Sequence, residues 1–414
     1  MASTKTLEQW ISKIEGFNSS EIELGLSRVE KLAKQLDLLS FATKVVTVGG
    51  TNGKGSCVAM LESLAIQSGL NVGTYTSPHL RCFNERIKIN GVEVSDEQLI
   101  MYFELLEAKR KNIQLTFFEF TTLVALLIFK QQEPDLIVLE VGLGGRLDAV
   151  NIVEPDVSII TTIDKDHENW LGSDPVGIAF EKSGIYRADK KNLVGDKNSL
   201  DLILKARPEF QPNVWLVSAE SLSHVASIDE LIQDPNINKY CLLAQNLNLA
   251  IGAFDYLFQT KIQKINLAKA IKNIKLEGRF QKVSECPLII VDVGHNLQAA
   301  KNLKSQLTRF SNGKKWTVIC GMMRDKAIDE VLQSMDFAVD CWHFVDLPSD
   351  RAATSQQLSK IYQLANLKRP TSNHESVSAA YKQICDFSSD SNSILVFGSF
   401  VTVAEMLHYF DQTC

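Results

Sequence analysis

Short runs of β-branched and aliphatic residues alternate along the chain with longer stretches in which apolar side chains recur at helical spacing. This rhythm is the pattern of a parallel sheet covered by helices. Positions 136–141 (LIVLEV) and 157–163 are almost continuously apolar, as expected of central strands buried on both faces. Further strands are predicted over 44–48, 72–76, 288–293, 316–320, 342–345 and 394–397. Helices are predicted over 54–68, 95–109, 116–130, 177–185, 245–258, 297–307, 355–365 and 375–387, and from 402 onward. Ser95 followed three residues later by Gln98 is a capping-box signature. A full set of β/α units lies on each side of 278–281. That places a boundary there, with one domain over 1–278 and a smaller one over 282–414.

Composition narrows the class without naming it. The 414 residues are 45% hydrophobic and 22% charged, ordinary values for a chain with a large packed core. A net charge of −6 argues against nucleic acid as a partner, because that needs a basic footprint. The longest apolar stretch, 123–129, is far too short to cross a bilayer, and the first ten residues lack a signal-peptide core. The 8 cysteines form no C-x-x-C pair and read as reduced core thiols of a cytoplasmic protein, not as a zinc site.

The candidate chemistry begins at Gly49-Gly50-Thr51-Asn52-Gly53-Lys54-Gly55-Ser56, which follows a predicted strand and opens a predicted helix. Glycines let the backbone wrap a phosphate, and the helix N-terminus adds partial positive charge. Lys54 is placed to neutralise β/γ-phosphates and Ser56 to reach Mg2+. The match to G-x-x-x-x-G-K-[ST] is imperfect, since Gly55 separates Lys54 from Ser56. Glu140 ends the LIVLEV run, where open α/β sheets bind ligands, and is a candidate Mg2+ ligand or a capping or salt-bridging carboxylate. His167, past the 157–163 strand, and Ser77, past the 72–76 strand, are candidates at the same edge. Gly142-Leu143-Gly144-Gly145-Arg146 fits a dinucleotide fingerprint only loosely and reads as a flexible loop beside the substrate.

Several motifs in order resemble one family, the bifunctional dihydrofolate synthase/folylpolyglutamate synthase branch of the Mur-ligase superfamily. They are GTNGKGS at 50–56, YTSPHL at 75–80, LTFFEFTTL at 115–123, LEVGLGGRLDAVN at 139–151, DHENWLG at 166–172, EKSGI at 181–185, GRFQ at 278–281 and DVGHN at 292–296. The resemblance implies an α/β fold with a P-loop-containing, Mur-ligase-like first domain and a smaller Rossmann-like C-terminal domain. It implies an ATP-dependent ligase that adds L-glutamate to dihydropteroate or reduced folates through an acyl phosphate. ATP would be held by Thr51, Asn52, Gly53, Lys54, Gly55 and Ser56, with Asn246, Arg279, Asp292 and His295. Metal ligands would be Ser77, Glu140, His167 and Lys182, the last as a carbamate, and Lys54, Glu140, His167 and Lys182 would carry the chemistry. The pterin site would comprise Ile22, Glu23, Thr116, Phe118, Leu147, Asp148 and Ala149. Of Phe117, Phe118 and Phe120, at least two are expected in the core. The resemblance further implies two Mg2+ ions, leaves room for a monovalent cation such as K+, and suggests a monomer. A cell-wall ligase of the same superfamily, a P-loop ATPase that ligates nothing, and a folate-binding protein without activity are the competing readings.

Overall fold

The computed structural model describes residues 5–17, 25–218, 220–222, 244–262, 265–274, 276–310, 316–387 and 393–413. The chain divides into two compact units. The first is Met1–Asp164 with Leu171–Lys275; the second is Lys165–Trp170 with Leu276–Cys414.

The first unit is built on eight strands: β1 (Lys44–Gly49), β2 (Val72–Tyr75), β3 (Ile87–Ile89), β4 (Val92–Glu93), β5 (Leu136–Glu140), β6 (Val157–Ile160), β7 (Lys191–Val194) and β8 (Val214–Leu216). Their order is β4-β3-β2-β5-β1-β6-β7-β8. All pairings are parallel except β2 with β3 and β3 with β4. The central strand β1 lies between β5 and β6, with Val48 opposite both Glu140 and Ile159. Strand β5 is buried at every position, which is why LIVLE carries no alternation.

Helix Phe117–Gln132 is apolar nearly all round and lies in the core. Thr116 caps it: Glu119 N donates to Thr116 Oγ1 at 3.2 Å, and Thr116 N donates to Glu119 Oε2 at 2.8 Å. Gly73 of β2 lets this helix sit close, since a Cβ there would lie 2.7 Å from the Phe129 ring.

The second unit has six strands: β9 (Gln281–Glu285), β10 (Leu288–Asp292), β11 (Trp316–Cys320), β12 (Val339–Val345), β13 (Thr371–His374) and β14 (Ile394–Phe397). Their order is β13-β12-β11-β14-β10-β9, parallel except for the hairpin of β9 with β10.

Differences from the sequence expectations have local causes. The run over 157–163 stops being strand at Ile160, because Thr161–Asp164 turn to hydrogen-bond with the glycine-rich loop. The helix expected at 177 begins at Pro175, with Asp174 as N-cap accepting from Gly177 N at 3.0 Å. Strands β3, β4, β7, β8, β9 and β13 were not expected; among them VWL of β8 is largely exposed and TSNH of β13 is polar. The cysteines are not uniformly core thiols. Cys57 and Cys320 are buried, but Cys82, Cys286 and Cys385 are exposed. Cys241 and Cys414 lie outside the described residues. Phe120 is fully buried, whereas Phe117 and Phe118 are only partly so.

Between β12 and β13, His343 Nδ1 and His374 Nε2 share one proton across 2.9 Å. Burial, then the neighbouring His374, pushes the His343 imidazole down to about 4. The unfolded chain therefore takes up a proton that the folded chain refuses. Stability from this pair is complete above about pH 6.5 and is lost as pH falls toward about 4, by on the order of 2 kcal/mol. Urea midpoints at pH 7 and 4.5 should show this loss, and His343→Gln should flatten it; an unchanged slope in the variant would refute the assignment.

Candidate active site

The glycine-rich loop leaves β1 and is stitched to the chain leaving β6. Thr161 N donates to Gly49 O at 3.0 Å, Thr51 N to Thr162 O at 2.8 Å and Asn52 N to Thr162 Oγ1 at 3.1 Å. Thr51 Oγ1 accepts from Asp164 N at 3.0 Å. Gly53 has φ 91°, and a Cβ there would stand 2.5 Å from Asn246 Nδ2. A glycine is required on both counts. Helix Lys54–Gln67 starts at the next residue, so its free N–H groups open onto the loop.

Two lysines converge on this loop. Lys54 Nζ donates to Gly50 O at 3.1 Å, and Lys182 Nζ, at the end of helix Pro175–Lys182, donates to the same oxygen at 3.2 Å. Lys182 is 4% exposed. Glu140, 5% exposed at the end of β5, accepts from Ser77 N at 3.2 Å. A Cβ on Gly55 would lie 4.0 Å from Glu140 Oε2, so the first turn of the helix faces this carboxylate. The Ser77 hydroxyl and the Glu140 carboxylate are hard oxygen donors of the kind Mg2+ takes, and a carbamate on Lys182 would add another.

Along the same unit, Phe118 packs on Gly142, where a Cβ would meet the ring at 2.6 Å, and lies 5.9 Å from Tyr75. Asp148 is buried and accepts from Leu143 N at 2.8 Å and Val150 N at 3.0 Å. Burial pushes its carboxyl up to about 6, against those hydrogen bonds and the positive charge of Lys54. Leu147 and Ala149 flank it, and Thr116 caps the helix that carries Phe118. The loop over 142–146, expected to be flexible, is tied down: Arg146 N donates to Glu181 O at 2.8 Å and Arg146 Nη2 pairs with Glu181 Oε1 at 2.9 Å. Ile22 and Glu23 lie outside the described residues.

Two residues of this unit were missed in the sequence. Arg86, buried at the end of a 3-10 turn, donates from Nε to His79 Nδ1 at 2.8 Å. Burial, then Arg86, pushes the His79 imidazole down to about 4. An arginine set among Phe83 and Ile87 was the available signal.

In the second unit, Asp292 accepts from Phe280 N at 2.9 Å and Gly294 N at 2.7 Å; burial raises its pKa and Arg279 opposes the rise. The Arg279 guanidinium lies 5.2 Å over Phe400. His295 Nδ1 donates to Val293 O at 2.9 Å. His167 belongs to the segment Lys165–Trp170, with φ 54°. Beside it, Asp166 accepts from Lys326 Nζ at 2.5 Å and Asn296 Nδ2 at 3.3 Å, with His295 Nε2 at 3.7 Å. Burial pushes the Asp166 carboxyl up, but His295, His167 and Lys326 outweigh it and hold the group well below the usual carboxylate range. Asp166 opens the DHENWLG run, but neither it nor Lys326 stood out as a candidate site residue in the sequence. The structure thus groups Thr51–Ser56, Ser77, Glu140, Lys182 and Asn246 with the Thr116–Asp148 face in one unit, and His167, Arg279, Asp292 and His295 in the other. Among the described residues, no three His, Cys, Asp or Glu side chains are arranged to hold a metal by themselves.

The Mur ligase middle domain matches residues 48–249, and the Mur ligase glutamate ligase domain matches 278–400. The dihydrofolate synthase/folylpolyglutamate synthase of Escherichia coli K12 is 36% identical over 98% of this chain and 96% of its own. The chain belongs to the dihydrofolate synthase/folylpolyglutamate synthase family of Mur ligases. The protein of that name from Haemophilus influenzae is 35% identical, with 98% of each chain covered. Among solved structures, E. coli FolC in complex with DHPP and ADP superposes with a TM-score of 0.86 at 33% identity, covering 99% of both chains. The Yersinia pestis bifunctional enzyme complexed with AMPPNP and Mn ion gives 0.84 at 34% identity, covering 99% of this chain and 98% of that one. The clash that a side chain at Gly53 makes with Asn246 falls in the glycine-rich loop between β1 and helix Lys54–Gln67. Gly53→Ala should weaken ADP binding by about tenfold or more, because a strained φ and a displaced Asn246 both oppose the bound loop. Calorimetric titration with MgADP measures this; unchanged affinity would contradict it.

Proposed function

We propose that this chain joins L-glutamate to 7,8-dihydropteroate, and further glutamate to reduced folates, at the expense of ATP. The carrying observation is the pair of lysine side chains donating to Gly50 O, in a glycine-rich loop whose helix faces Glu140 with its first turn. The substrate carboxylate attacks the γ-phosphorus, the bond from that phosphorus to the β-bridging oxygen breaks, and ADP leaves with the electron pair. The glutamate α-amine then attacks the acyl carbon and expels phosphate, and the amine proton passes to solvent or base. Lys54 and the helix N-terminus behind it stabilise the charge that spreads over the transferred group.

A divalent metal, when bound, neutralises phosphate charge and orients the oxygens. We assign Ser77, Glu140, His167 and Lys182 as its ligands, with Mg2+ as the ion at two positions and room left for a monovalent cation such as K+. Conversion of Lys182 to a carbamate would relieve its repulsion with Lys54 and supply an anionic oxygen donor. Asn246, Arg279, Asp292 and His295 complete the ATP contacts. The pterin is assigned to Ile22, Glu23, Thr116, Phe118, Leu147, Asp148 and Ala149, with the aromatic face of Phe118 and the acceptor oxygens of Asp148 matching an amino-substituted ring. The proposed domains are 1–278 and 282–414. Among the described residues no helix is long and apolar enough to cross a membrane, and a monomer in the cytoplasm is the form proposed.

ADP release measured with MgATP, glutamate and dihydropteroate, each omitted in turn, should require all three and yield a glutamylated product by mass. Hydrolysis indifferent to dihydropteroate and glutamate would refute the ligase assignment. Lys182→Ala should lower turnover by at least about 100-fold, as expected when a group serving the transferring phosphoryl is lost; near-normal turnover would remove the carbamate from the mechanism.

A further inference from the structure

The mechanism above leaves His79 and Arg86 unused, yet their geometry fixes a chemical state. A guanidinium can only donate hydrogen bonds. Because Arg86 Nε donates to His79 Nδ1 at 2.8 Å, that ring nitrogen must carry a lone pair. The neutral ring then bears its proton on Nε2, so His79 presents a fixed N–H donor on its outer edge.

The surroundings hold this state. Arg86 is 7% exposed, with its guanidinium 5.6 Å over Phe83 and 5.2 Å over Phe117. Its carbonyl accepts from Thr76 N at 2.9 Å, which pins it to the chain just before Ser77. The His79 ring lies 6.0 Å from Phe83. The turn after His79 is clamped by Glu85, whose carboxylate accepts from Leu80 N at 2.7 Å, Arg81 N at 2.5 Å and Cys82 N at 2.9 Å. Backbone and ring are both immobilised, while His79 itself remains partly exposed.

The location gives this donor a task. His79 stands two residues from Ser77, whose N–H binds Glu140, and its partner Arg86 packs on Phe117, next to Phe118. The donor thus joins the phosphoryl end of the first unit to its aromatic end. We propose that His79, resting on the ligase function above, donates its Nε2–H to the substrate carboxylate that becomes phosphorylated, with Arg86 as the positioning residue that fixes the tautomer. The bond would orient the carboxylate so that its other oxygen attacks.

Two isosteric substitutions separate this role from a structural one. An Asn side chain reaches the position of Nδ1 and still accepts from Arg86; a Gln side chain reaches the position of Nε2 and keeps the donor. His79→Gln should keep kcat/KM for dihydropteroate within about threefold of the parent. His79→Asn should lose about 10- to 100-fold, the range of one hydrogen bond to a charged group. In both, KM for ATP should move by less than about twofold, because the proposed role gives His79 a bond to the substrate carboxylate alone. Equal values in the two variants, or the reverse order, would overturn the proposal. A fold-independent arm uses the unsubstituted protein with 15N-labelled histidine. His79 should show a bare Nδ1 and a protonated Nε2, and Nε2 should shift when dihydropteroate is added with Mg2+ and a non-hydrolysable ATP analogue. A protonated Nδ1, or no shift, would overturn it even if neither variant folds. A parent protein that forms no glutamylated product would withdraw the function and this role together, whereas an active parent with the reversed variant order withdraws only the role of His79.

Discussion

Two ammonium groups held on one carbonyl oxygen set the terms for the rest of the first unit. Lys54 and Lys182 both donate to Gly50 O, and Lys182 is buried there. Like charges this close repel by on the order of a few kcal/mol, even with partial screening. The arrangement becomes favourable when anionic oxygen arrives, as a phosphate chain or as a carbamate on one of the lysines. In the proposed function the loop is an anion site first, and the fold supplies what brings it together.

That supply comes from strand order. With β1 between β5 and β6, three chain exits meet at one sheet edge: the glycine loop, Glu140 and the turn Thr161–Asp164. Helix Pro175–Lys182 is fixed by its Asp174 cap at one end and by the Arg146–Glu181 pair near the other, so Lys182 has little choice of position. The same Arg146 loop carries Asp148, which couples the placement of the lysine to that of the buried carboxylate. A similar economy appears in the second unit, where Asp166 gathers Lys326, Asn296 and His295 next to His167.

Much of this was legible in the chain because the responsible forces are local or periodic. LIVLEV declared a central strand because burial on both faces leaves no room for alternation. Ser95 and Gln98 declared a helix start, and Gln98 N does donate to Ser95 Oγ at 3.3 Å. The glycine loop was legible from its spacing. Lys182 was not, since by itself it reads as a surface helix lysine, and only the family resemblance singled it out. Strands β8 and β13 escaped because their residues are exposed or polar, and β-pairing with a neighbour decides such segments. Arg86 and His79 escaped for a different reason: their pairing spans seven residues and depends on a turn that Glu85 closes.

The central claim is that a substrate carboxylate oxygen becomes bonded to phosphorus beside Lys54. The direct measurement follows 18O placed in the carboxylate of dihydropteroate through a single turnover with MgATP and glutamate. Transfer of one 18O atom into the released inorganic phosphate is the predicted result. Phosphate free of the label, with glutamylated product formed, would contradict the acyl-phosphate route and the role given to this anion site.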